Sequence, residues 1–293
     1  MEEYIGVVAH DAGGANLLAS YCRRKPDNYR YFLKGPAKEI FKKSLSIESE
    51  DNLENFISGC HIFLCGTSGR SDLERTVIAR ARILKKETTA ILDHWVNYRE
   101  RFVQSGKLVI PNRLITVDNY AYQIAKEAFP ECAIFKMQNL YLEDFCDHYF
   151  EISAQLYGNP KSEILFISEG FDEQNVEDKS YKNKDLEYFK KFILIKSRLF
   201  DSNLSLRIRL HPSEEPSKVQ QYKEICPEVL YSDSSMDLAM DLSRAKYVVG
   251  ISSMALVLAN ACGIPTFSLL ESSKESRIPI SGIKYLGTLP NFK

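Results

Sequence analysis

RLHPSEEP, residues 209–216, and AKYVVGISSMALVLANACGIPTF, residues 245–267, decide the fold. Leu204 to Leu210 alternates apolar and basic residues as a strand does. Pro212 lacks the N–H to continue a ladder, so His211 is expected at a strand's carboxyl edge, where open α/β sheets keep their ligands. In the second stretch a short apolar run, Tyr247 to Val249, breaks at Gly250. Ser252-Ser253 and about two turns of helix formers follow, ending at Gly263-Ile264-Pro265. Strand, tight turn and helix amino terminus together make an anion seat: unpaired N–H groups and the positive helix end point at the turn, two hydroxyls add donors, and Gly250 lets a ligand approach the backbone. His211 is a donor for the same phosphate or for a leaving oxygen. Taken singly, Ser252 or Ser253 reads as a helix cap and His211 as a surface histidine; on neighbouring strand ends the functional reading gains.

From that centre the α/β pattern extends in both directions. Upstream, SEILFISEG from Ser162 is a buried strand and Lys182 to Phe200 a long amphipathic helix, with a helix over Pro216–Ile225 and a short strand at Val229–Tyr231. Asp237 opens a helix and Thr266–Leu269 is the last strand of this half. The first half repeats the alternation. Strands are expected at Tyr4–Ala9, Tyr29–Leu33, from His61, up to Asp93, at Leu114–Val117 and at Ala133–Lys136; helices follow HDAGGAN and lie near Pro36–Lys43, Asp72–Lys86 and Asn119–Phe129. A linking helix covers Leu140–Leu156, broken by Gly158-Asn159-Pro160. SSKESRIP, from Ser272, reads as a loop. The expectation is two Rossmann-like parallel-sheet domains facing across a cleft: 1–140, a linking helix within 141–160, 161–272 for the donor, and a tail, 273–293, that returns to the first domain.

The chain has 293 residues, enough for two such domains; hydrophobic content is 44%, charged content 26%, and net charge −1. That balance supplies no basic field for nucleic acid. With no apolar run of about 18 residues and no signal-peptide pattern at MEEYIGVVAHDAGG, a cytoplasmic protein is expected, with peripheral membrane association left open. Seven cysteines without a CxxC pair read as reduced core thiols.

The series Glu169-Gly170, His211-Pro212 and Ser252-Ser253, followed by LANACGIP, resembles the GT-B glycosyltransferases of bacterial surface-polysaccharide synthesis. It is most similar to the sialyltransferase-like groups that use CMP-activated acidic sugars. The resemblance spans roughly residues 163–270. It implies that His211 contacts the donor phosphate and assists the leaving nucleotide, that Ser252 and Ser253 bind the phosphate, and that Glu169 is a general base. Serine at 168, where an acid is common in that family, departs from the pattern.

Such chemistry needs a stabilised leaving group and a base or carboxylate nucleophile for the acceptor hydroxyl. No D-x-D occurs, so neither metal nor cofactor is expected. Three carboxylates compete, in the order Asp11, Glu169, Asp93. Asp11 follows the first strand in His10-Asp11-Ala12-Gly13-Gly14, beside glycines that suit a phosphate and beside Asn16; it also reads as a helix cap. Asp93 precedes Trp95 and Tyr98, read either as a sugar-stacking wall or as packed core. Arg70 is a candidate for an anionic group, Asp237 for a ribose hydroxyl or a cap, and Arg207 and Arg209 for a ligand or a helix-side salt bridge. The function expected is a metal-independent glycosyltransferase that moves a sugar from a phosphate-activated donor, CMP-linked among the options, to a glycan or glycolipid acceptor. A sugar-nucleotide epimerase or hydrolase, a transferase using a phosphoribosyl diphosphate donor, and a non-catalytic subunit keeping the nucleotide cleft are the alternatives.

Overall fold

The computed structural model describes residues 3–156, 161–169, 184–212, 214–233, 235–272, 278 and 281–289. The Gly158-Asn159-Pro160 break, Gly170 of the first motif and most of SSKESRIP lie outside them. The chain divides into two compact units, 1–144 and 145–293; the division falls inside the helix expected to link them.

In the first unit the strands are β1 (Ile5–Ala9), β2 (Tyr29–Leu33), β3 (Ile62–Cys65), β4 (Glu87–Ile91), β5 (Val103–Gln104), β6 (Lys107–Leu108), β7 (Arg113–Thr116) and β8 (Ala133–Lys136). The helices are α1 (Ala12–Arg24), α2 (Pro36–Leu45), α3 (Leu53–Gly59), α4 (Leu73–Ile83), α5 (Asn119–Ala128) and α6 (Leu140–Gln155), the last running across the boundary. Six strands form one parallel sheet in the order β2-β1-β3-β4-β7-β8, and β5 and β6 pair apart from it as an antiparallel hairpin. The connections leave β1 toward β2 and return to β3 on its other side. That reversal makes a crevice at the carboxyl ends of β1 and β3.

In the second unit β9 (Glu163–Ile167), β10 (Ser205–Arg209), β11 (Leu230–Ser232), β12 (Ala245–Gly250), β13 (Thr266–Ser268) and β14 (Lys284–Tyr285) alternate with α7 (Lys184–Leu199), α8 (Val219–Ile225), α9 (Leu238–Arg244) and α10 (Met254–Ala261). The sheet order is β11-β10-β9-β12-β13-β14, all parallel. Its reversal point lies between β9 and β12. The helix expected over Pro216–Ile225 is split, with a 3-10 turn at Pro216–Lys218 before α8. Of the tail expected to return to the first domain, the described strand β14 forms the edge of the second sheet, beside β13.

Every residue of β9 is buried, which explains its continuous apolar reading. Phe166 packs edge-on against Phe189 of α7, which packs in turn on Tyr222 of α8, with ring centroids 4.9 and 5.0 Å apart. Each such ring, fully buried, stabilises the unit by about 1.5–3 kcal/mol. The polar exception in β9, Glu163, is held by Arg207 of β10 through two bonds of 2.7 and 2.8 Å. Arg209, two residues on, pairs with Asp241 of α9 and donates to the Met236 carbonyl at 2.6 Å. The Arg209 pair is the expected helix-side salt bridge, whereas Arg207 pairs with a neighbouring strand instead.

Candidate active site

The second unit gathers three of the expected residues on adjacent strand ends. Glu169 follows β9, His211 follows β10 and Ser252-Ser253 follow β12, so they flank the sheet's reversal point. The carboxylate of Glu169 accepts the backbone N–H of Ser252, spanning the crevice between β9 and β12. This turn therefore holds an anion already, and the anion is the protein's own carboxylate. Ser253 is the N-cap of α10, its Oγ accepting from the Ala255 N–H at 3.2 Å; accepting uses a lone pair and leaves the hydroxyl hydrogen to donate. His211 and the serine pair lie two strands apart, about 10 Å between strand axes, a span comparable to that of a nucleoside phosphate.

The HP turn is closed by its own side chain. The His211 N–H donates to Glu214 Oε2 at 2.7 Å, and the Glu214 N–H returns to the His211 carbonyl at 2.9 Å. Lys218 then bridges Glu214 and Asp185. Burial pulls the Lys218 ammonium down, but hydrogen bonds to the two carboxylates outweigh it and its pKa is raised. Asp185 also accepts Tyr222 Oη at 2.6 Å and Ser168 Oγ at 3.1 Å. A buried polar chain, Ser168–Asp185–Lys218–Glu214, thus ties the end of β9 to the backbone of His211. Ser168, wholly buried, stands in this chain; an acid there would place a second charge against Asp185.

In the first unit the turn after β1 carries Asp11. It occupies the N-cap position of α1 without capping it; Oδ1 faces His10 Nδ1 at 2.7 Å and Oδ2 accepts the Gly69 N–H at 3.1 Å. Burial alone would raise its pKa, but hydrogen bonds from His10, Ser68 and Gly69 prevail and lower it. Asp11 is thus an oriented carboxylate at the β1/β3 reversal point. Asn16 is half-buried on α1, and Arg70 is exposed on the turn after β3.

Several other candidates have close partners within the protein. A Cβ on Gly13 would stand 2.0 Å from Asp93 Oδ2, and one on Gly14 3.1 Å from the Gly66 Cα. These glycines let α1 sit on Asp93 and on the loop after β3, a packing requirement in its own right. Asp93 is 6% exposed, gripped by Thr67 Oγ1 and Arg101 at 2.9 Å each. Trp95 and Tyr98 are buried, and Trp95 donates through Nε1 to Asp118 at 2.7 Å. They are packed core, not an open stacking wall. Asp237 caps α9, accepting the Ala239 N–H at 2.9 Å, and its other oxygen meets His148 at 2.6 Å. Gly250 is buried, and a Cβ there would meet the Ile167 carbonyl and Leu256 at 3.2 Å each, so its smallness serves strand and helix packing.

His10, Glu74 and Arg101 escaped the sequence reading. His10 was legible as a strand-end neighbour of Asp11. Glu74 and Arg101 look like ordinary surface charges until the fold buries Glu74 and sets half-buried Arg101 against Asp93.

The glycine contacts give a stability test. Gly13→Ala is expected to lower the thermal midpoint of unfolding by roughly 3–10 °C, the overpacking cost of about 1–3 kcal/mol for a unit of this size. Gly69→Ala, whose Cβ would meet nothing within 4 Å, is expected to stay within about 1 °C. Equal midpoints for the two variants in differential scanning calorimetry would refute the packing account.

Two parallel six-stranded α/β units, the second with the 3-2-1-4-5-6 strand order of Rossmann folds, define the GT-B-like class of architecture. Solved structures agree. The UDP-GlcNAc 2-epimerase of Methanocaldococcus jannaschii superposes with a TM-score of 0.63 at 10% identity, covering 97% of this chain and 88% of that one. The Neisseria meningitidis UDP-GlcNAc 2-epimerase, bound to UDP-GlcNAc, gives 0.63 at 10% identity over 93% and 84%. The α/β-galactoside α-2,3-sialyltransferase of Photobacterium phosphoreum gives 0.55 at 12% identity over 99% and 100%. No family model and no curated protein sequence matches the chain.

Proposed function

We propose that the protein is a nucleotide-sugar enzyme, and that it acts as a metal-independent glycosyltransferase on a glycan or glycolipid acceptor. The observation that carries the reading is the arrangement of Glu169, His211 and Ser252-Ser253 on the three strand ends around the second unit's reversal point, with the Ser252 N–H already satisfied by a carboxylate. A donor phosphate takes that N–H and the seryl hydroxyls at the amino end of α10. His211, its backbone fixed by Glu214, donates to the leaving phosphate oxygen as the sugar–phosphate bond breaks. Glu169, displaced from Ser252 by the phosphate, and Asp11, already ionised, are the carboxylates proposed to accept the acceptor's proton. Arg70 and Asn16 are retained as substrate contacts.

A second reading, sugar-nucleotide epimerase or hydrolase, is favoured by the likeness to the two epimerase structures, and it uses the same donor seat. Incubation of the purified protein with CMP-, UDP- and GDP-sugars, with and without a glycan acceptor, separates the two. Acceptor-dependent release of free nucleotide is the outcome expected. Isomerised or hydrolysed donor without acceptor selects the second reading. If no donor is bound or consumed, both fail.

A further inference from the structure

Under the Asp11 turn lies a carboxyl group that the proposed chemistry does not use. Glu74, in the first turn of α4, is 3% exposed. Its Oε1 accepts the backbone N–H of His10 at 2.8 Å, while its Oε2 is buried and meets no hydrogen-bond partner among the described residues. An ionised carboxylate with one oxygen left dry loses several kcal/mol of hydration, whereas a carboxylic acid loses far less. The titratable groups that face it are His10 and Asp11 from the β1–α1 turn and the Cys65 thiol of β3. Arg75, next to it on α4, turns away to Asp72 and to the carbonyls of Ser68, Ser71 and Arg101. Glu87 of β4 pairs with Arg113, and Glu54 of α3 with Arg80. No cation among these pairs neutralises Glu74. The Gly66 backbone closes over it, with a Cβ there 3.7 Å from Oε1.

We propose that Glu74 is a positioning residue that carries a proton, anchoring the backbone of His10 and keeping a second negative charge away from Asp11. Neutral Glu74 lets the Asp11–His10 pair stay ionised at Asp11 with the imidazole oriented by it. Burial pushes the Glu74 carboxyl up to about 7, against the pull of its own and the His10 N–H groups and with help from the Asp11 charge. As pH rises through that value Glu74 ionises and sets a second negative charge beside Asp11. The stability effect has a definite sign. The folded value lies above the usual 4.5, so the contribution is fully present below 4.5, declines as pH rises and is gone above about 7.

This inference rests on the nucleotide-sugar reading only for its catalytic readout. The test therefore has two arms on the intact chain. In the first, carboxyl-carbon NMR titration of the wild type is expected to show one resonance with a midpoint near 7 that is missing from Glu74→Gln, and the thermal midpoint of the wild type is expected to fall relative to that variant between pH 4.5 and 7. In the second, Glu74→Gln, which keeps both the acceptor and the neutral form, is expected to hold wild-type turnover of the nucleotide sugar at pH 6 and to lose the rate change centred near pH 7. Glu74→Ala is expected to lose tenfold or more in kcat at unchanged donor KM. A Glu74 resonance that titrates in the ordinary glutamate range overturns the proposal whatever the enzyme does. So does a Glu74→Gln pH profile that superposes on the wild type. If no nucleotide sugar is turned over by any form, the function fails and the NMR arm alone decides the proton on Glu74.

Discussion

His211→Ala is expected to lower turnover of the nucleotide-sugar donor by about 10²–10⁴-fold, the usual loss when a positioned proton donor is removed. The fold is expected to survive, because the backbone bonds of residue 211, its N–H to Glu214 and its carbonyl to the Glu214 N–H, are kept by alanine. The thermal midpoint should therefore stay within about 2 °C of wild type, as for a half-buried side chain outside the core. Glu214→Ala provides the contrast. It leaves the imidazole in place but removes the acceptor that orients the turn and one of the two carboxylates on Lys218, so kcat is expected to fall less than for His211→Ala while the midpoint falls more. Steady-state kinetics with the best donor found, together with calorimetry, decides the matter. Full turnover by His211→Ala would remove this residue from the chemistry and leave the strand-end cluster as a binding device only.

What could be read from the residues alone follows how much of each signal is local. The strands at Tyr29–Leu33 and Ala133–Lys136 lie where expected, because their bounds are set by nearby turn residues and short apolar runs. Helix α3, the β5–β6 hairpin and β14 were missed: each is seven residues or fewer, too short for a periodic pattern to rise above its neighbours. The strand-end placement of His211 and Ser252-Ser253 was legible because proline and glycine punctuate both turns. The neighbours of Gly13, Gly14 and Gly250 were not legible. A glycine that admits a ligand and a glycine that admits Asp93 or Ile167 have the same letter, and only the tertiary contact separates them. The surroundings of Trp95 and Asp93 were hidden for a related reason. Polar residues near a strand end suggest a cleft, yet Asp118, Thr67 and Arg101, remote in sequence from one another, satisfy them internally. Ser168 shows the converse: as a departure from a motif it looked like a weakness of the site, and in the fold it belongs to the network that holds the HP turn.

The second large effect is expected at Asp241. Its carboxylate is wholly buried; one oxygen meets Arg209 at 2.5 Å and the other accepts Ser232 Oγ at 2.7 Å. The guanidinium of Arg209 is itself nine-tenths buried at the end of β10, one residue before Leu210 and two before His211. Asp241→Ala removes the buried carboxylate paired with that cation, and breaking such a pair from one side costs about 3–5 kcal/mol. For a unit of this size the unfolding midpoint should drop by roughly 6–20 °C, and in a chain with two compact units the loss should appear in the transition of the second and spare that of the first. Replacing both partners, Arg209→Met with Asp241→Leu, removes the cation as well and should recover most of the stability. The double variant also settles what Arg209 is for. If the arginine only braces β10 against α9, the folded double variant binds nucleotide as the wild type does; if binding is lost while the midpoint is restored, Arg209 contacts the donor and its pairing with Asp241 positions it for that contact.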